Sequence, residues 1–168
     1  MKAVIMAGGE GTRLRPLTSN APKPMMPVAN VPMMEHIVGL LKRHGFDDIV
    51  VTVAFMANAI RTYFGDGSDF GVKMVYANEP TPLGTAGSVR NAMEYLDERF
   101  LVISGDVITD VDLTSIVSYH DDHEALATIG LVRVDNPLEF GIVITRDDGS
   151  IDRFLEKPTW GRARRYRC

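Results

Sequence analysis

Residues 2–27 read KAVIMAGGEGTRLRPLTSNAPKPMMP, and the reading of this stretch decides the fold. Ala3 to Ala7 is an apolar run of strand length that empties into Gly8-Gly9-Glu10-Gly11. Lacking Cβ atoms, the glycines let backbone N–H groups close on an anion, and successive N–H groups turned inward make a concave anion site. Thr12, Arg13 and Arg15 follow at once, and Lys23 stands between Pro22 and Pro24, which supplies the loop with cations suited to a polyphosphate. The stretch predicts a buried strand, a phosphate loop and a nucleoside triphosphate site.

Two familiar phosphate loops fail on spacing. A dinucleotide fingerprint, G-x-G-x-x-G, is met by Gly9 and Gly11 but has Leu14 in its third position, and no acidic residue closes a second strand about 20 residues on. A Walker A loop needs Gly-Lys-Ser/Thr where Arg13 stands. The bulk composition narrows the class further. At 168 residues the chain can bury one core, and its 45% hydrophobic and 24% charged content is ordinary for a soluble globular domain. No apolar run approaches the roughly 18 residues of a membrane span, and Lys2 leads straight into a strand rather than a secretory leader. A single cysteine, Cys168, excludes an intrachain disulfide and fits a reducing cytoplasm. The formal charge of −4 would be about −8 without Arg162, Arg164, Arg165 and Arg167, so the body of the chain is no nucleic-acid surface.

Working outward, apolar strands alternate with amphipathic helical stretches, which predicts a parallel sheet with crossover helices. Five prolines between Pro16 and Pro32 hold an extended connection that cannot be regular helix. A helix from Pro32 to His44 carries the stripe Met34, Ile37, Val38 and Leu41 and stops at Gly45. Asp48 to Ala54, Val72 to Ala77, Phe100 to Ile103 and Ala125 to Val134 read as further strands. Helices are expected at Ala57 to Phe64, at Ala86 to Leu96, and at Leu113 to His120 with Asp112 as N-cap. Phe140 to Thr145 and Ser150 to Leu155 read as a hairpin turned by Asp147-Asp148-Gly149. Residues 161–168 change composition sharply and read as a basic, disordered or non-native tail after a domain of residues 1–160. The histidines show no ligand grouping, and His120 and His123 lie in an acidic HDDHE segment.

The segment Gly8-Gly9-Glu10-Gly11-Thr12-Arg13-Leu14-Arg15-Pro16-Leu17-Thr18, followed by Lys23-Pro24-Met25-Met26-Pro27, resembles the nucleoside-diphosphate-sugar pyrophosphorylases, a family of sugar-1-phosphate nucleotidyltransferases. Further stretches fit that family in order: Leu83-Gly84-Thr85-Ala86-Gly87-Ser88, Ser104-Gly105-Asp106, Glu139-Phe140-Gly141-Ile142-Val143 and Glu156-Lys157-Pro158. Alone, the first of these is a helix N-terminus, the second a plain turn and the last an exposed charged pair. The resemblance covers residues 1 to about 160 and implies an α/β fold, a Rossmann-like open, mostly parallel sheet with helices on both faces, its C-terminal part missing.

The resemblance also implies roles. Ala7, Gly8, Gly9, Gly11, Thr12, Arg13, Gly84 and Thr85 would bind nucleotide, with Arg13, Lys23 and Asp106 catalytic and Asp106 holding Mg²⁺. Gly141, Glu156 and Lys157 would take the sugar 1-phosphate. A second metal-binding aspartate of the family lies downstream of E-K-P, beyond this chain. The implied reaction joins a nucleoside triphosphate to a sugar 1-phosphate, giving an NDP-sugar and pyrophosphate, and GTP with mannose 1-phosphate matches best. A glucose-1-phosphate thymidylyl- or uridylyltransferase and a catalytically silent nucleotide-binding module are the alternatives. The expected partners are these small molecules, with neither nucleic acid nor membrane, and the complete protein could form a homo-oligomer. Arg15 reads as a phosphate contact or the partner of an acid.

Overall fold

The strand read from the opening stretch, β1 (Lys2–Met6), is held between two parallel neighbours, and the other elements follow from its position. The structure is a computed structural model that describes residues 1–81, 83–96, 98–134, 136, 138 and 140–159. After β1 come two short strands, β2 (Pro27–Val28) and β3 (Val31–Pro32), then α1 (Met33–Arg43), β4 (Asp48–Val53) and α2 (Ala57–Phe64). β5 (Lys73–Asn78), α3 (Gly84–Asn91), β6 (Phe100–Ser104), α4 (Leu113–Asp122), β7 (Gly141–Thr145) and β8 (Ile151–Glu156) complete the order. The chain divides into two compact units, Met1–Ser115 and Ile116–Cys168, with the division falling inside α4.

In the first unit, β5-β4-β1-β6 is a four-stranded, wholly parallel sheet. Its central strands are buried on both faces, which is why they read as near-continuous apolar runs rather than alternating ones: Ala3, Val4, Ile5, Ile49, Val50, Val51 and Val53 are fully buried, and so is Thr52 among them. From β1 the chain steps outward to β4 and β5, then returns past β1 to β6. Right-handed crossovers in these two opposite directions put α1 and α2 on one face and α3 on the other. Packing agrees: Val4 and Val50 share a cluster with Ala77, Ala92 and Leu96 below α3, so Ala3, Ile5, Ile49 and Val51 face the other way.

The helices form for the reasons their spacing suggests. α1 buries Met34, Ile37, Val38, Leu40 and Leu41 as one stripe. It ends in a Schellman motif, in which Gly45 takes φ +76° while the Phe46 amide donates to Leu41 O at 3.0 Å and the Gly45 amide to Lys42 O at 3.0 Å. α2 buries Ile60 and Phe64, and the Phe64 ring meets Phe70 at 4.9 Å between centroids. α4 is N-capped by Asp112, whose Oδ1 accepts from the Ser115 amide at 3.0 Å.

The proline-rich connection is not simply extended. It folds into three single 3₁₀ turns, Thr12–Leu14, Leu17–Ser19 and Lys23–Met25, and the β2-β3 pair. α3 starts earlier than its sequence suggests, at Gly84 with φ +68°, and gives way to a 3₁₀ turn at Met93–Tyr95.

In the second unit, β7 and β8 form the expected antiparallel hairpin, turned at Gly149 with φ +81°. Ala125 to Val134, expected as a strand, forms none. Its side chains have β-propensity, but a strand also needs a neighbour for its N–H and C=O groups, and none pairs with it among the described residues. Leu126 and Val132 are accordingly left open to solvent. Glu139 and the 161–168 tail lie outside the described residues.

Candidate functional site

β1 ends where the chemistry begins. The Ala7 amide carries the ladder one residue further by donating to Thr52 O at 2.9 Å, and Gly8, Gly9 and Glu10 then leave the sheet as a loop. Gly11 turns that loop at φ +62°, and the buried Thr18 ties it down by donating its hydroxyl to Gly11 O at 2.9 Å. A Cβ on Gly11 would lie 3.0 Å from Lys23 Cβ and 3.1 Å from Thr18 Cγ2, so this glycine lets the lysine-bearing turn seat against the loop. Thr12 and Arg13 follow on the exposed 3₁₀ turn.

Lys23 opens the third 3₁₀ turn with Pro22 and Pro24 buried on either side. From there it crosses to the end of β6. Lys23 Nζ donates to Asp106 Oδ2 at 2.8 Å, joining residues 83 apart in sequence. Asp106 is set by Gly105, whose amide donates to Met6 O at 2.9 Å. A Cβ on Gly105 would stand 2.9 Å from Ile5 Cγ2 and 3.2 Å from Met6 O, so only glycine lets β6 end this close to β1. The glycine loop, Lys23 and Asp106 therefore meet at the carboxyl ends of β1 and β6. The chain reverses its direction across the sheet at this place, which is where open α/β sheets bind ligands. Arg15 does not join them, lying 3.5 Å from Glu10 at the surface.

A further group flanks the loop. Glu79 continues β5, its amide donating to Val53 O at 2.8 Å, and its carboxylate lies against Gly8, where a Cβ would meet Oε1 at 2.9 Å. Oε2 is 3.5 Å from the Leu83 amide, while the buried Oε1 has no hydrogen-bond partner among the described residues. Just beyond, Gly84 and Thr85 sit exposed at the start of α3, and the Ser88 hydroxyl bonds back to Gly84 O at 2.7 Å.

In the second unit the hairpin register sets Gly141 opposite Glu156. The Glu156 carboxylate covers the glycine, with Oε2 2.9 Å from where a Cβ would stand. Lys157 follows at φ +39°, its amide donating to Phe140 O at 3.1 Å. A non-glycine residue in this sparsely populated region is held there by its surroundings. Gly141, Glu156 and Lys157 are thus neighbours within their own unit.

The arrangement in the first unit is an amide-rich loop, a lysine and a carboxylate aimed at one place after two parallel strands. Residues 2–166 match the nucleotidyl transferase family model. The chain belongs to the nucleotidyl transferase family. It is 42% identical to a UTP–glucose-1-phosphate uridylyltransferase of Synechocystis, over 94% of this chain and 44% of the relative. It is 38% identical to a mannose-1-phosphate guanylyltransferase of Mycobacterium tuberculosis, over 92% of this chain and 44% of that protein. The chain thus spans less than half the length of these relatives.

A Bacillus anthracis structure assigned as a glucose-1-phosphate thymidylyltransferase, solved with sucrose, superposes with TM-score 0.85 at 31% identity. That match covers 94% of this chain and 65% of the other. HddC from Yersinia pseudotuberculosis, solved with GMP-PN, gives TM-score 0.78 at 27% identity, over 94% of this chain and 70% of the other.

As a member of that family the chain shows one residue that its motifs did not flag. Glu79 precedes the L-G-T-A-G segment, and in sequence it is one acid among many. Its signal is the tertiary contact with Gly8 together with an oxygen buried without a partner among the described residues. The described residues hold no cluster of three or more His, Cys, Asp or Glu that could grip a metal by themselves. A lone, partly exposed carboxylate such as Asp106 still suits Mg²⁺, which commonly takes one or two carboxylates and completes its shell with phosphate oxygens and water.

Proposed function

We propose that this chain carries the nucleotide-handling part of a sugar-1-phosphate nucleotidyltransferase, with GTP and mannose 1-phosphate as its substrates. The observation that carries the reading is the convergence of the glycine loop, Lys23 and Asp106 at the carboxyl ends of β1 and β6, with Lys23 and Asp106 2.8 Å apart. The nucleophile of such a reaction is a phosphate oxygen of the sugar 1-phosphate, ionised near neutral pH. It attacks the α-phosphorus, a P–O bond forms, the α–β bridging bond breaks, and pyrophosphate leaves with that electron pair. No general base is required, so the work of the protein is positioning and charge neutralisation.

In this reading the amides of Gly8 to Gly11, with Thr12 and Arg13, hold the triphosphate and the departing pyrophosphate, while Ala7, its own amide bonded to Thr52 O, sets where the loop begins. Lys23 serves the α-phosphate. Mg²⁺, held by Asp106 and phosphate oxygens, would offset the negative charge of the nucleotide. Gly84 and Thr85 border the base and ribose. Sugar-phosphate recognition is proposed for Gly141, Glu156 and Lys157 of the second unit. A cytoplasmic location belongs to the same proposal and rests on the single cysteine and the nucleotide substrate.

Glu79 supports guanine. A carboxylate only accepts hydrogen bonds, and the guanine edge offers two adjacent donors, N1–H and the N2 amino group. Uracil and thymine offer one donor between two acceptors, and one of those would face a carboxylate oxygen. Uridine is the competing choice, favoured by the name of the Synechocystis relative. The test is a pyrophosphate-release assay of this chain and of a longer form, with GTP, UTP and dTTP against mannose and glucose 1-phosphates. Release with GTP and mannose 1-phosphate from the longer form is expected, and release from neither form with any pair refutes the enzyme. Glu79→Gln should lower GTP affinity about tenfold and narrow the gap to UTP, since a neutral amide can both accept and donate. An unchanged base preference removes Glu79 from base recognition.

A further inference from the structure

The proposed function gives Lys23 to the nucleotide and Asp106 to the cation, yet the structure has each neutralising the other. The ion pair is short, 2.8 Å, and its side chains keep 28% and 36% of their exposure, so both remain within reach of solutes. Both ends are fixed from behind. Buried Pro22 and Pro24 flank Lys23, and its Cβ stands against Gly11. Asp106 follows a glycine packed on Ile5 and Met6 too tightly for any side chain. The two backbones hold the charges opposite each other.

An ammonium and a hard divalent cation compete for the same carboxylate lone pairs, and a triphosphate competes with that carboxylate for the same ammonium protons. We propose that the Lys23–Asp106 pair is a latch that makes triphosphate and divalent-cation binding interdependent. A cation arriving at Asp106 releases Lys23 to the triphosphate, and a triphosphate arriving at Lys23 releases Asp106 to the cation. Linkage requires the two effects to be equal in size. The inference rests on the nucleotide reading of this site and adds to it a reciprocal dependence that separate roles for the two residues would not produce.

The latch separates from plain charge repulsion because it acts through Lys23. Binding of a fluorescent GTP analogue is measured in EDTA for the unmodified chain, Asp106→Asn, Lys23→Met and the double variant, with circular dichroism confirming that all four fold. Asp106→Asn should tighten metal-free binding about fivefold, the scale of freeing a partly exposed ion-paired lysine. In the Lys23→Met background the same change should give less than about a twofold gain. No gain from Asp106→Asn overturns the latch. A full gain in the Lys23→Met background overturns it too, because the carboxylate would then only be repelling the triphosphate.

The cation side is read independently by Mn²⁺ titration with electron paramagnetic resonance, without nucleotide. Lys23→Met should bind Mn²⁺ about three- to fivefold more tightly than the unmodified chain. Unchanged or weaker binding overturns the proposal. Failure of the analogue to bind any of the four proteins overturns the nucleotide reading and the latch with it, whereas binding without coupling overturns the latch alone.

Discussion

Replacing Gly11 and Gly9 separately by alanine distinguishes a glycine the fold needs from one the ligand needs. Gly11 has φ +62°, and an L-residue in that left-handed region costs about 1–2 kcal/mol. Alanine recovers about 0.4–1 kcal/mol by stiffening the unfolded chain. Its Cβ would also press on Lys23 Cβ at 3.0 Å, an atom bonded to the backbone that cannot swing aside, and on Thr18 Cγ2 at 3.1 Å, held in place by the Thr18 hydroxyl bond to Gly11 O. The net destabilisation is therefore roughly 1–2 kcal/mol, or a fall in melting temperature of about 3–6 °C for a chain of this size. Because the atom displaced belongs to Lys23, nucleotide affinity should fall as well. Gly9 is the opposite case: nothing lies within 4 Å of its Cβ position, and its φ is not in the left-handed region. With no strain or clash to offset that gain, Gly9→Ala should raise the melting temperature by about 1–3 °C. It should still weaken nucleotide binding about tenfold, because the new methyl stands where a phosphate must meet the amides. Thermal unfolding followed by circular dichroism and titration with a fluorescent nucleotide measure both quantities. Normal nucleotide binding by Gly9→Ala would show that the loop is a turn and not a cradle, and normal stability of Gly11→Ala would refute the account of its packing.

Three other perturbations probe different parts of the molecule. Phe64→Ala removes a buried ring in contact with Tyr63 and Phe70, and should cost about 3–5 kcal/mol in urea unfolding; a loss under about 1 kcal/mol would mean the site collapses around the gap. Asp112→Ala should lower the melting temperature by removing the cap of α4. The Ser115 backbone amide and then its hydroxyl hold the Asp112 carboxyl below its ordinary value, so its stabilisation is full above about pH 4 and disappears as pH falls through the depressed value. The gap between variant and original should close under acid conditions, and a gap that widens there contradicts the capping. Arg13→Ala in a longer, active form should reduce turnover at least about tenfold, as expected when charge stabilisation at the transferring phosphorus is lost, and unchanged turnover removes Arg13 from the reaction.

Much of this was legible in the sequence because the decisive features are local. β1 empties into its glycines within ten residues, and Asp48 to Val53, DIVVTV, declares a doubly buried strand by its wealth of β-branched residues. Motif order alone groups Lys23 with Asp106. Their pairing was not legible, since it depends on β6 returning to the far side of β1, a matter of strand order that no window of sequence contains. Glu79 stayed hidden for a related reason: what distinguishes it is its surroundings, not its neighbours along the chain. Ala125 to Val134 failed in the opposite direction. Its composition is that of a strand, but pairing is a property of two segments, and here the second is not found among the described residues.

The position of β6 has a practical side. Among the described residues it pairs only with β1, so its other flank presents unpaired amides and carbonyls beside the exposed Val102, within a few residues of Asp106. Such a flank can take up any passing extended chain, including one from an identical molecule. In the test tube, dilution and not cooling would then keep this protein monodisperse. Stored concentrated, it would lose binding capacity by masking Asp106 before any of its helices melted.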